Sequence, residues 1–179
     1  DNLLCFLKHN PSLSSSLFSD LSQNIQDVTT IIEPVLAASK RCQNTRYYIQ
    51  AVSIGHTGFL ATNLNLQDRE GIRATATASS WSVGRGSTCA LHMPDQSVSR
   101  CHAVITHHAY AGFFLTDLGS KNGTWVNGTR VISHSRQPLN DGDLIQLGML
   151  KVELFVSDPQ QDSTPAAAVS RSCMTTSPN

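Results

Sequence analysis

The chain has 179 residues, enough for one domain with a real core and some additional segments. Lys+Arg and Asp+Glu both number 13, so the formal charge is zero. Proteins that grip nucleic acid by its phosphates carry a basic excess, so nucleic acid is not an expected partner. No apolar run approaches the roughly 20 residues of a membrane span. Position 1 is Asp rather than Met, which leaves an upstream targeting segment open.

From Ser12 to Arg41, Leu13, Leu17, Leu21, Ile25, Val28, Ile32 and Val35 recur at three- and four-residue steps, the pattern of one helix face. Pro11-Ser12 predicts the start, and Pro34 predicts a kink or a division into a helical hairpin. The stripe either packs on its own domain or forms a homo-oligomer seam through residues 12–41, and the pattern alone leaves both open.

After Arg46 the texture changes to short runs of Tyr, Ile, Val, Thr and Phe between turn residues. Expected strands are Tyr47–Ser53, Phe59–Leu66, Ile72–Ala78, Trp81–Gly84, His102–Thr106, Phe113–Leu118, Thr124–Val126, Leu144–Leu147 and Val152–Val156. Such density predicts a β-sandwich or barrel. In the last strand Val152, Leu154 and Val156 share one face, and Glu153 and Phe155 the other. Asn122-Gly123 and Asn127-Gly128 each read as a tight type I′ turn, because Asn and Gly tolerate positive φ best. Both also fit the N-x-T glycosylation pattern, but the turn reading accounts for them without it. His107-His108 reads as a solvated turn, and Asn140-Asp141-Gly142-Asp143 as a turn rather than a calcium loop, since the other ligands are missing. From residue 158 to 179 a Ser/Thr/Pro-rich tail without apolar period is expected to be disordered; Thr164-Pro165 and Ser177-Pro178 within it could serve as kinase sites. The domain division is a helical segment over 1–45, a sandwich over 46–157 and a tail over 158–179.

Five cysteines, an odd number without a CxxC pair, do not make a disulfide framework and favour a reducing, cytoplasmic setting. Cys89, His92, Cys101 and His102 lie close in sequence, but adjacent strand residues point to opposite faces and no zinc spacing is present, so no metal is expected. Asp117, Ser99 and His102 match a catalytic triad by residue type only, without a strained nucleophile turn, so no catalysis is expected. "GRGST" lacks the spacing and Lys of a P-loop, and no cofactor is expected.

Four pieces remain to be read together: Gly84-Arg85, Ser99-Arg100-Cys101-His102, Asn122-Gly123-Thr124 and Asn127-Gly128. Sandwich loops gather at the two ends, so these can converge into a surface holding Arg85, Ser99, Arg100, Lys121 and Asn122. Two guanidiniums, a hydroxyl, an ammonium and an amide suit a doubly charged, oxygen-rich anion.

In "VGR", "SVSRCHA", "DLGSKNGTWVNG" and "LNDGDLIQLG" the sequence resembles the forkhead-associated (FHA) domain, a module that binds phosphothreonine peptides. The four ordered motifs span about Phe59 to Val156. The resemblance implies an eleven-stranded sandwich of two twisted sheets with ligand held by loops at one end. It implies that Arg85 and Ser99 hold phosphate, Arg100 supports them, and Asn122 holds the peptide backbone. Gly84, His102, Gly123 and Asn127 are implied as structural support, with His102 bonding between loops. Lys121 stands where the family usually has a small hydroxyl residue; contact with phosphate and simple solvation both stay open. The expected function is phosphothreonine-dependent recognition of a partner protein in signalling or assembly, the alternative being a scaffold that acts through its N-terminal helix.

Overall fold

The computed structural model describes residues 2–20, 25–64 and 71–159. Its strands are β1 (Tyr47–Ile54), β2 (Thr57–Thr62), β3 (Arg73–Ala74), β4 (Ser80–Gly84), β5 (Leu91–His92), β6 (Ala103–His108), β7 (Gly112–Asp117), β8 (Thr124–Val126), β9 (Thr129–Arg130), β10 (Arg136–Leu139), β11 (Leu144–Leu147) and β12 (Leu150–Ser157). One sheet has the order β3-β2-β1-β12-β11-β8-β9 and the other β10-β7-β6-β4-β5. Alternation drives this arrangement: Ala103, Ile105 and His107 turn one way from β6, as Phe113, Leu115 and Asp117 do from β7. Between the sheets, Ile49, Leu60, Trp81, Ile105, Phe113, Leu115, Ile145 and Val152 form one core.

The sandwich was legible, with local corrections. Twelve strands occur among the described residues, against the eleven implied. β5, β9 and β10 are two to four residues long, too short to show a period, and β10 contains Pro138. The strand expected over Ile72–Ala78 shrinks to β3. At Thr75 the hydroxyl accepts the Leu60 amide at 3.0 Å, replacing a backbone carbonyl and interrupting the ladder. His107 is not a solvated turn residue: β6 runs on to His108, and the buried His107 ring stacks near Phe113 and reaches the Ser53 hydroxyl at 3.1 Å. Asn127 and Gly128 have φ of 51° and 78°, the expected type I′ turn joining β8 to β9. Asn122 differs. Only Gly123 has positive φ there, because that loop carries the chain from one sheet to the other rather than closing a hairpin.

Three helices, α1 (Asn2–His9), α2 (Pro11–Asp20) and α3 (Ile25–Arg41), cover the outer face of the seven-stranded sheet. Leu13, Leu17, Val28, Ile32 and Val35 are buried together with Val52, Ile54, Phe59 and Ala61 of β1 and β2. Leu13, Leu17, Val28, Ile32 and Val35 of the stripe thus face their own sheet. Pro34 does not divide α3, since the buried Ile31, Ile32 and Val35 hold the helix through it; among the described residues a break falls at Asn10. Leu21 and the tail beyond Pro159 lie outside the described residues.

Two polar clamps fix this layer. Glu153 of β12 accepts the Gln43 and Asn44 amides at 3.0 and 3.1 Å, and the Asn44 side chain at 2.6 Å, just after α3. Burial would raise its carboxyl, but these hydrogen bonds, with one from Cys42, hold it below its ordinary value. At the other end the buried Asn10 donates to the Phe6 and Ile72 carbonyls and accepts the Ala74 amide at 2.7 Å, standing in for a strand neighbour of β3.

A cavity at Ile32 tests the packed layer. Ile32→Ala is expected to lower stability by about 2–5 kcal/mol in denaturant unfolding. A stripe that served an intermolecular seam would instead show altered sedimentation with unfolding of the monomer nearly unchanged.

Candidate functional site

The ends of β4, β6, β7 and β11 bring four loops together, and backbone hydrogen bonds lock them. The Arg85 amide donates to the Ser99 carbonyl and the Gly86 amide to the Arg100 carbonyl, both at 2.9 Å. Gly84 allows this approach, since a Cβ there would collide with the Arg100 carbonyl. The Lys121 amide donates to the Ser99 hydroxyl oxygen at 3.0 Å, and the Asn122 side chain donates to the Ser97 carbonyl at 2.7 Å. Arg85, Ser99, Arg100, Lys121 and Asn122 are therefore brought onto one rim.

Beneath the rim lies a buried relay. The Ser99 amide donates to His102 Nδ1 at 3.0 Å, so Nδ1 is unprotonated and Nε2 carries the hydrogen. Nε2 lies 3.1 Å from both the Gly123 carbonyl and the Thr124 hydroxyl, and that hydroxyl donates to Asp117 Oδ2 at 2.6 Å. Asp117 also accepts the Gly119 and Ser120 amides and the Ser120 and Ser133 hydroxyls. His102 touches the Ser99 amide, not its hydroxyl, so no nucleophile–base pair is formed. Both ring nitrogens are engaged, which also removes His102 from the suggested metal set. Burial pushes the His102 ring below its ordinary value, although Gly123 and Asp117 pull it up. Burial would raise the Asp117 carboxyl, yet the donors from Ser120, Thr124 and Ser133 outweigh it and hold it far below the usual carboxylate range.

Asn127 acts further out: its amide donates to Asp143 and its oxygen accepts the Leu144 amide, both at 2.8 Å, tying the β8–β9 turn to β11. Asp143 in turn accepts the Asn140 amide, and Asp141 pairs with Arg41 at 2.7 Å, so this loop is the expected turn.

Charge at the rim is one-sided. Arg85 Nε donates to the Val98 carbonyl at 3.3 Å, and neither it, Arg100 nor Lys121 forms an ion pair among the described residues. The nearby carboxylates are occupied: Asp117 by the relay, and Asp95 by the amide and hydroxyl of Ser97. Such a rim offers an anion donors and cations that are not tied up in ion pairs.

Residue-by-residue reading missed Ser97, Ser120, Thr124 and Ser133. Ser97 accepts Asn122, takes the Met149 amide on its hydroxyl and lies against Gly148, where a Cβ would come within 2.5 Å of its carbonyl. Ser120 and Thr124 lie inside the "DLGSKNGTWVNG" motif, three and seven positions after Asp117, a spacing that by itself assigns neither a partner. Ser97 opens the "SVSRCHA" motif, but nothing in that pattern assigns it a contact, and nothing in the sequence marks Ser133.

Residues 81–148 match the FHA domain family, a stretch that holds all the rim and relay residues. Human kanadaptin is 31% identical over 102 residues, covering 51% of this chain and 14% of that protein. The serine/threonine-protein kinase RAD53 of Saccharomyces cerevisiae is 34% identical over 85 residues, covering 44% of this chain and 10% of the kinase. The chain therefore spans only a small part of these relatives. The structure of the N-terminal FHA domain of Rad53 in complex with a phosphothreonine peptide is 26% identical, with TM-score 0.40, covering 50% of this chain and 79% of that one. The FhaA FHA domain, from a protein of Mycobacterium tuberculosis, is 36% identical, with TM-score 0.39, covering 48% and 89%.

The buried histidines set an acid limit. His102 and His107 both have folded values lowered by burial from 6.5, so the unfolded chain binds more protons once pH falls below about 6.5. Their stabilisation is complete above about 6.5 and is lost progressively as pH falls through the depressed folded values. Urea midpoints are expected to drop between about pH 7 and pH 5; a flat profile there contradicts the neutral, hydrogen-bonded His102.

Proposed function

We propose, on the premise that this chain carries an FHA domain over residues 81–148, that it recognises a threonine-phosphorylated partner protein and performs no catalysis. The reading takes residues 46–157 as the recognition domain and residues 1–45 as a helical layer fixed to it. Signalling or assembly in the cytoplasm is its proposed setting, resting on the odd cysteine count. The observation that supports it most is the rim: Arg85, Arg100 and Lys121, none in an ion pair among the described residues, arrayed around the Ser99 turn.

Phosphothreonine carries nearly two negative charges and three acceptor oxygens. In this reading Arg85 presents its fork to the phosphate, with the Ser99 hydroxyl hydrogen beside it, since the Ser99 oxygen already accepts the Lys121 amide. Arg100 and Lys121 add positive charge at the edge. Asn122 keeps its amide oxygen for a peptide N–H while its nitrogen is held by Ser97. Gly84, His102, Gly123 and Asn127 maintain the loops. The rival reading, a scaffold acting through its N-terminal helix, loses support because the described stripe residues are buried on their own sheet.

Titration calorimetry with phosphothreonine peptides tests the assignment. Arg85→Ala is expected to cost about 2–5 kcal/mol of binding, as for a desolvated charged pair that loses one partner, while the melting temperature is kept. Unphosphorylated peptides should not bind. Unchanged affinity in the Arg85 variant contradicts the reading. Phosphoserine in the same peptide removes one methyl group, about 0.8 kcal/mol by transfer, and loosens χ1. It is expected to bind at least severalfold more weakly.

A further inference from the structure

One open side of the sandwich carries a groove that the proposed phosphate contacts do not use. It lies between β3, the edge of one sheet, and β5, the edge of the other, and encloses about 560 Å3. Arg73, Thr75, Ser87, Cys89 and His92 line it over an apolar floor that includes Leu91. Among its described lining residues there is no Asp or Glu.

Two contacts join this groove to the rim. Cys89 Sγ donates to the Arg100 carbonyl at 3.1 Å, and His92 Nδ1 lies 3.2 Å from the Gly86 carbonyl, which fixes the hydrogen on that nitrogen. The loop that carries Arg85 is thus also a wall of the groove. His92 is the register partner of Gly84, so the groove opens about one strand spacing, ~4.8 Å, from the residue beside Arg85. β5 pairs with β4 and ends the sheet order, leaving its other side without a strand among the described residues.

Arg73 is held for this position. The buried Asn10 amide grips the backbone on both sides of it, at Ile72 and Ala74, so the helical layer sets the edge on which it stands. Its exposed guanidinium forms no ion pair among the described residues.

We propose that this groove receives the chain flanking the phosphothreonine and selects acidic side chains there, with Arg73 as the reading residue and Asn10 as its positioning residue. The inference rests on the phosphothreonine reading of the rim. It commits to one occupant, the continuing peptide of the phosphorylated partner, through continuity with the rim and complementary charge. At about 3.3 Å per residue, an Asp or Glu within a few residues of the phosphothreonine reaches it.

The experiment uses the full chain and a degenerate peptide library with phosphothreonine fixed, in which each flanking position is set in turn to Asp, Ala or Lys. Asp is expected to raise affinity about two- to fivefold over Ala at one or more positions, the range of an exposed ion pair. Arg73→Gln should abolish that preference and Arg73→Glu reverse it toward Lys, both retaining dependence on phosphate and the unmodified melting temperature. Asn10→Ala should weaken the preference with less effect on peptides flanked by Ala. Phosphate-dependent binding without acidic preference, or a preference that survives Arg73→Glu, overturns the groove assignment alone. Failure of the unmodified chain to bind any phosphothreonine peptide overturns the rim reading and this inference with it.

Discussion

The buried hydrogen bonds running from Ser99 through His102 and Thr124 to Asp117 are the constraint on which the rim depends. Each of these groups has been taken out of water, and a network of this kind stabilises only when its members are all satisfied. Removing one partner leaves a desolvated donor or acceptor at a cost of about 1–3 kcal/mol, more for a charge. The two loops it joins are therefore held at one separation. That separation lets the Lys121 amide meet the Ser99 hydroxyl and brings Asn122 against Ser97. A rim fixed before any ligand arrives loses less conformational freedom on binding, which is where a small anionic contact most needs help.

The helical layer extends the same logic outward. Because α1–α3 cover the seven-stranded sheet, β1 and β2 are buried on both faces, unlike a sandwich strand with one side in water. Their apolar outer residues Val52, Ile54, Phe59 and Ala61 would otherwise form an exposed patch. The layer is fastened by Glu153 at one end and Asn10 at the other, and Asn10 acts on β3, the strand that carries Arg73. A segment outside the matched family region thus shapes a wall of the groove beside the rim. Packing of the helices and position of a surface cation become one structural fact.

What could be read from sequence was whatever repeated or matched a motif. The inward alternation of Ala103 and Ile105 made β6 legible as far as Thr106, while His107, a polar residue on the buried face, hid its last two residues, and Asn127-Gly128 gave its turn type outright. Position alone hid the rest. β5, β9 and β10 are defined by their neighbours rather than by their own residues, and Thr75 ends β3 through a side-chain bond that no periodicity records. α1 carries no clean polar face to announce it: Leu4 is exposed while Phe6 is buried. The rim residues are legible through their motifs, whereas the contacts of Ser97, which opens one of those motifs, and of Ser133 arise from loop proximity, which a linear pattern does not contain.

Charge shows why composition constrains partners only so far. Equal counts of 13 acidic and 13 basic residues remove the long-range field that would draw the chain to a polyanion. On the proposed reading, recognition of one phosphate needs only cations that are free to meet it, and the fold leaves them free by engaging nearby carboxylates with other donors. Asp117 is buried and surrounded by donors, Asp95 is bound by Ser97, and Asp141 is paired with Arg41 away from the rim. Arg85, Arg100 and Lys121 are left without an acidic partner among the described residues. A neutral chain with such a rim associates without strong steering, so on the proposed reading discrimination falls to the contacts made after encounter: the phosphate fork, the Asn122 amide and the walls on either side.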